Sequence, residues 1–335
     1  MTAAPEAIRP DPGSENRDIR GFFRRYAGQA GITVAFLLLW LLFVLFAPDT
    51  FLSGRIYAAF AATVPMFAIV AIPLTLMIVA GEIDLSFPST MGLGMVGFVL
   101  VWEATGNVSL GVLAALVIGA AAGLFNGLIV VYVNVPALVV TIGTLFVFRG
   151  LELVIIGGRN VSLVATRASL PHRLLVGELA GIPTQLLWLL VVAVIGWVFL
   201  NRHRFGAAVY VIGDNRDTAD LMGIHSGLIR ILLFVIVGVA AAFAGILSSL
   251  FIDSFFPTVG EGQLLPALAA VFVGGTSVFG GKGTIYGTVL GAFMIGAIAA
   301  GIIAAGLTGF YTEFVFGLVI VVSVSVHAIV QRRVG

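Results

Sequence analysis

Glu82 and Asp84 interrupt an apolar region in the run Gly81-Glu82-Ile83-Asp84-Leu85-Ser86, just ahead of Pro88. A carboxylate held in hydrocarbon costs at least ~2.5–3.5 kcal/mol, so such groups sit at an interface, find a partner or line a wet cavity. Two readings coexist here. Asp84 or Ser86 caps the following helix, with Pro88 in its first turn, and Glu82, Asp84 and Ser86 form part of a gate or path. Glu82 is the less explained of the two acids. Arg149 and Glu152 lie three residues apart in another apolar stretch, which puts both on one helical face. They either neutralise each other near a helix end, where Arg can snorkel, or face a polar conduit. Asn126, Thr141 and Thr144 are candidates for the same surface, although Ser and Thr often bond only to their own helix's carbonyls.

Other patterns fail when their chemistry is examined. Gly92, Gly94 and Gly97 spell GxGxxG, but that fingerprint needs a strand-to-helix turn, and here it lies in an apolar helix where small residues let backbones approach. The run Gly280-Gly281-Lys282-Gly283-Thr284 resembles the tail of a phosphate loop. Thr276, however, occupies the required first glycine and Gly283 the required Ser or Thr. No nucleotide site of the chain's own is expected. The four histidines (His172, His203, His225, His327) show no metal-ligand spacing, no GxSxG elbow is present, and there is no cysteine. No catalytic or metal-ligating residue is predicted.

Two polar segments carry more. From Phe205 to Ile224, Asp214 or Asn215 makes a good N-cap, Asp217 sits where a helix dipole favours acid, and Gly223 can end the element. A short surface helix is predicted, with Ala219, Leu221, Met222 and Ile224 as its apolar contacts. It is either an ordinary loop turn or a docking element for a soluble partner. From Gly274 to Thr284, five glycines and Lys282 join two hydrophobic stretches around Thr276, Ser277 and Phe279. Irregular backbone at membrane depth needs a cavity or protein to satisfy its amides, so a broken helix is expected. Gly283, Gly287 and Gly291 continue as a tightly packing face. Pro136-Ala137-Leu138 and Pro266-Ala267-Leu268 echo one another, each followed by a Gly-Thr pair.

The elements that must position these residues are set by composition. Of 335 residues, 60% are hydrophobic and only 10% charged, with a mean hydropathy of +1.15, whereas soluble domains run about 25% charged. The formal net charge of +1 gives no electrostatic case for nucleic acid. A spanning helix needs roughly 20 apolar residues. Gly28–Ala47, Ile56–Ala80, Val108–Val133, Ala137–Ile156, Gln185–Leu200, Leu228–Leu250, Thr284–Ala305 and Phe310–Val330 qualify. The glycine-rich Phe87–Trp102 and Leu264–Phe279 bring the count to ten, as short spans or as half-spanning broken helices. An all-α polytopic membrane protein is predicted.

Ten spans place both ends on one side, which collects twelve basic residues: Arg9, Arg17, Arg20, Arg24, Arg25, Arg202, Arg204, Arg216, Arg230, Lys282, Arg332 and Arg333. The other side receives four (Arg55, Arg159, Arg167, Arg173), so both termini are expected in the cytoplasm, with loop 158–183 the discordant piece. Residues 1–27 are polar and proline-bearing and are expected to be a disordered cytoplasmic tail. Residues 28–333 form one transmembrane domain with a cytoplasmic loop at 201–227.

Four motifs, in order, carry a family resemblance: GEIDLS at 81–86; the Asn126-Gly127 to Arg149-Gly150 stretch with VPALVVTIGTLFVFRG; the pattern from Gly213 to Ile224; and GGTSVFGGKGTIYGT at 274–288. Together they resemble the permease subunit of ribose-type simple-sugar ABC importers, over residues 30–333. The resemblance implies a bacterial inner-membrane importer with a second permease subunit (the same chain or a close paralogue) and a cytoplasmic ATPase that holds ATP and Mg. It also implies a periplasmic binding protein that delivers a simple sugar or related polyol. The chain itself would hold no cofactor. Gly213, Asp214, Asn215, Asp217, Ala219, Leu221, Met222, Gly223 and Ile224 would then form the coupling helix that docks on the ATPase. Glu82, Asp84, Ser86, Asn126, Thr141, Arg149, Glu152, Thr276, Ser277 and Phe279 are the candidates for path or gate. The family usually has Gly-Gly-Ile-Asp at 81–84, so Glu82 adds a charge. It often carries a carboxylate shortly before the Gly-Gly-Thr-Ser segment, where this chain reads Gln263-Leu264-Leu265-Pro266. The rival readings are an ion-coupled secondary transporter using Glu82, Asp84, Arg149 and Glu152, and a non-transporting membrane scaffold.

Overall fold

The hydrophobic stretches all become helices. The computed structural model describes residues 12–334, with side-chain surroundings at 28–326, 328 and 329. In chain order the helices are α1 (Pro12–Phe46), α2 (Pro48–Phe51), α3 (Gly54–Val79), α4 (Phe87–Thr105), α5 (Val108–Leu128, extended by a π turn at Ile129–Val133) and α6 (Ala137–Ile156). There follow α7 (Leu170–Val176), α8 (Thr184–Asn201), α9 (Arg204–Asp214), α10 (Arg216–Leu221), α11 (Ser226–Phe251), α12 (Leu264–Val273), α13 (Ile285–Ala304) and α14 (Phe310–Val334). Among the described residues eight helices are long and apolar enough to cross a bilayer, and α12 and the Phe310–Val326 part of α14 are shorter apolar helices. The protein is an all-α polytopic membrane protein.

The two glycine-rich segments resolve differently. The stretch from Phe87 runs to Thr105, a 19-residue helix of spanning length. The one from Leu264 stops at Val273 after ten residues and gives way to irregular backbone, so the break expected around residue 274 occurs there. α1 begins at Pro12, ahead of the span expected from Gly28. Proline suits a first turn, Ile19, Phe22, Phe23 and Tyr26 recur at helical spacing, and adding turns to a nucleated span is cheap. Residues 1–11 lie outside the described residues.

Local signals set the ends. Asn107 caps α5 by accepting from Ser109 and Leu110 N–H at 2.9 and 3.2 Å, and Thr284 caps α13 by accepting from Gly287 N–H at 3.0 Å. α3 is 89% buried across its span and α4 72%, against 0% for α1, which places α3 and α4 inside and α1 on the rim. α5 and α11 meet through glycines: a Cβ on Gly119 or Gly238 would strike the other's carbonyl. The face of Gly287 and Gly291 packs on the backbone of Ala270 and Gly274, as expected for tight packing.

The discordant basic loop is tied down. Strand β1 (Val161–Ser162) pairs antiparallel with the later strand at Ser254–Phe255. Arg159 makes two bonds to Glu103, at 3.0 and 2.6 Å, and Arg167 is ion-paired with Asp253. Two of the loop's three arginines therefore have carboxylate partners.

Candidate functional site

Residues 80–86 are the non-helical link between α3 and α4, and they hold the first cluster. Asp84 is 1% exposed, and its Oδ1 accepts both the N–H (2.7 Å) and the hydroxyl (2.6 Å) of Ser86. The Ser86 oxygen in turn accepts from Asn126 Nδ2 at 2.8 Å. Asn126 stands roughly two turns, ~10 Å, from the Val133 end of its span. The expected side-chain cap is corrected: Ser86 occupies the N-cap position of α4 but makes no capping bond, because its oxygen is turned to Asp84 and accepts from Asn126 instead of from an N–H of the first turn. Burial raises the Asp84 carboxyl above its ordinary range, and the Ser86 bonds offset part of that rise. The Asn126 side-chain oxygen is buried without a hydrogen-bond partner.

Glu82, two residues earlier, has a partner the sequence did not reveal. Arg230 Nε, in the second turn of α11, donates to Glu82 Oε1 at 2.5 Å, and a second guanidinium nitrogen also contacts that oxygen. Arg230 is 4% exposed. Burial pushes the Glu82 carboxyl upward, and Arg230, with Arg216 at the start of α10, pulls it back.

Arg149 and Glu152 do pair across one helical face, at 2.9 Å. Arg149 also donates to the Pro257 carbonyl and lies 3.4 Å from Glu261. Arg149 thus ties α6 to the segment that precedes α12. Glu152 is fully buried against Gly92, where any Cβ would strike its carboxylate, and its Oε1 has no hydrogen-bond partner. The GxGxxG run is therefore packing, as expected. The structure does not place Asn126 and Thr141 in one polar cluster with Arg149: Asn126 joins Ser86, while Thr141 donates to Ala137 O at 2.8 Å and Thr144 to Thr141 O at 3.4 Å.

The segment at 204–224 is two helices, α9 and α10, where the sequence indicated one. Asn215 is the N-cap of α10, accepting from Thr218 N–H at 2.9 Å, Asp217 lies in the first turn, and Gly223 ends it at φ +79°. Ala219 is buried and Ile224 half-buried, whereas Leu221 and Met222 are 88% and 66% exposed, so of the four expected apolar contacts two face the bundle and two face away from it. In a six-residue helix only one face meets the bundle, and Ala219 occupies it. Asp214 and Asn215 are exposed. Gly213 is pressed on the Val79 carbonyl and the Gly281 nitrogen, and Gly281 N–H donates to Val79 O at 2.8 Å. Tyr210 on α9 donates to Gly283 O at 2.7 Å. The 274–284 loop, the end of α3 and the base of α10 therefore meet at one end of the bundle. Within that loop Thr276 and Ser277 are buried, Ser277 Oγ accepts from Phe279 N–H at 3.2 Å, and Phe279 is 61% exposed.

A multi-pass bundle with a broken helix, buried polar clusters and a short helix held against one end is compatible with a membrane permease, and comparison with known proteins shows that class. The chain belongs to the family described as branched-chain amino acid transport system / permease component, which matches residues 56–324. Among curated proteins it is 33% identical to the ribose import permease protein RbsC of Escherichia coli K12 over 310 residues, 90% of this chain and 96% of that one. It is 32% identical to the autoinducer 2 import system permease protein LsrC of Yersinia pestis Pestoides F over 271 residues, covering 81% and 76%. No solved structure matches. The resemblance to ABC importer permeases is thus borne out, and the ion-coupled and scaffold readings give way to it.

Proposed function

We propose that the chain imports a simple sugar or related small polyol, delivered by a periplasmic binding protein, across a bacterial inner membrane with both termini in the cytoplasm. A ribose permease aligned over 96% of its length supports that substrate class, while the family's description includes branched-chain amino acids. Two permease subunits would enclose the path, identical or closely related. ATP and Mg would be held by the partner ATPase alone.

The observation that carries the coupling role is α10. It is short, water-facing, capped by Asn215 and stopped by Gly223, with Leu221 and Met222 bare beside Asp217. A small exposed apolar pair that includes a Met and is bordered by polar residues matches the apolar centre and polar rim of a protein interface. Gly213, Asp214, Asn215, Asp217, Ala219, Leu221, Met222, Gly223 and Ile224 would form this coupling element. Glu82, Asp84, Ser86, Asn126, Thr141, Arg149, Glu152, Thr276, Ser277 and Phe279 remain proposed for the path or its gate. Movement of α10 would reach the α3 end and the 274–284 loop through Gly213.

The test is Asp217→Lys combined with Gly223→Leu in the reconstituted importer, with uptake of labelled sugars, polyols and leucine measured in parallel. Membrane insertion should be unchanged and ATP-driven uptake lost. Normal uptake would defeat the coupling assignment, and leucine as the sole transported solute would defeat the sugar assignment.

A further inference from the structure

The Glu82–Arg230 pair is poorly explained as a source of stability. Arg230 is 4% exposed and its Nη1 is buried with no hydrogen-bond partner, so the guanidinium is desolvated without full compensation. Buried ion pairs are often no better than apolar replacements of similar volume, and their best-attested use is in fixing register or a switch.

Its position gives it something to transmit. α10 and α11 are tightly joined: Ile224 N–H bonds to Ala219 O at 3.0 Å, Ser226 N–H to Ile224 O at 2.8 Å, and Asp220 Oδ1 accepts from Ser226 N–H at 3.4 Å. Arg230 stands about one turn beyond Ser226. On the other side Glu82 is anchored to α3 by its N–H on Met77 O at 3.0 Å. Two residues later Asp84 grips Ser86, which accepts from Asn126 on α5. The contacts run from the docking helix to α5 at Asn126, about 10 Å inside the bundle.

We propose that Glu82 and Arg230 are a positioning pair that passes displacement of α10 to the 80–86 segment and, through Asp84, Ser86 and Asn126, to α5. The proposal rests on the importer reading, because it needs a partner that moves α10. Mutual charge is the essential property, since it holds the link to α11 in register while allowing it to break and re-form.

The test uses the whole importer (permease, ATPase and binding protein) in proteoliposomes, with uptake and ATP turnover measured on the same sample. Glu82→Leu with Arg230→Met removes both charges together and leaves neither unpaired. The expected result is normal assembly and uptake per ATP reduced about tenfold. The swapped pair, Glu82→Arg with Arg230→Glu, should recover a substantial part of that ratio, which a packing role would not produce. An unchanged uptake-to-ATP ratio in the apolar variant, or equal ratios in the apolar and swapped variants, overturns the relay and leaves the importer standing. Absence of ATP-driven uptake by the wild-type complex overturns both.

Discussion

Gly213 rests on the carbonyl of Val79 with no side chain between them: a Cβ at 213 would strike that oxygen and the Gly281 nitrogen. Residues 134 positions apart in sequence thus meet backbone to backbone at the base of the proposed docking helix. Gly213→Val must push α9 off α3, a small-to-large change that typically costs ~1–3 kcal/mol. The expected outcome is a membrane-inserted protein with at least about a tenfold loss of ATP-driven uptake, read by transport in membrane vesicles. Wild-type uptake would show that the contact is incidental.

Asp84 satisfies two donors of Ser86 with one oxygen. Asp84→Ala leaves a buried N–H and hydroxyl without that acceptor, at a cost of ~1–3 kcal/mol, whereas Asp84→Asn keeps an acceptor. Thermal unfolding in detergent should rank wild type above Asn and Asn above Ala. Equal Ala and wild-type midpoints would contradict the hydrogen-bonding account.

Gly92→Ala puts a methyl group where the Glu152 carboxylate lies. In a double-mutant cycle with Glu152→Ala, the two changes should compensate, with a coupling energy of about 1 kcal/mol or more. Additive losses of stability would show that the two groups do not share the space.

The clasp on loop 158–183 should loosen in acid, in two stages. The Thr166 hydroxyl donates to Leu163 O at 2.6 Å, so at the 2.9 Å contact His172 Nδ1 is the donor, and unprotonated Nε2 faces Asp253 Oδ1 at 3.9 Å. Burial lowers His172 from its ordinary 6.5, against the opposing pull of Asp253. The folded state thus favours the neutral ring, and that contribution, complete above 6.5, fades as pH falls from there to the folded value. The Arg167 bond holds Asp253 below its ordinary 3.8, so its contribution is present above 3.8 and is lost at lower pH. Hydrogen-exchange protection factors of residues 158–183, each taken against the intrinsic rate at the same pH, should fall below pH 6.5 and again below 3.8, and Asp253→Ala should remove the second stage. A flat profile would exclude both assignments.

The helices were legible because hydrophobic length is a local signal. The ends at Val108, Val133, Ala137 and Ile156 coincide with the chain's own turn and cap residues, and Asn215 and Gly223 announced the limits of α10. The partner of Glu82 was not legible. Arg230 lies 148 residues away, and nothing nearby distinguishes it from the other basic residues of its side. Gly92 looked like a packing residue, yet only the fold shows that its neighbour is a carboxylate. The outward turn of Leu221 and Met222 was equally hidden, because a helix this short has too few residues to define a periodicity.

Those two bare side chains bear on how the protein must be made. A copy produced without its companion would present an adhesive spot to every other surplus copy, favouring clumping and clearance. Were the proposed ATPase to cover Leu221 and Met222, synthesis of the two subunits in matched amounts would follow from the exposure of these two residues.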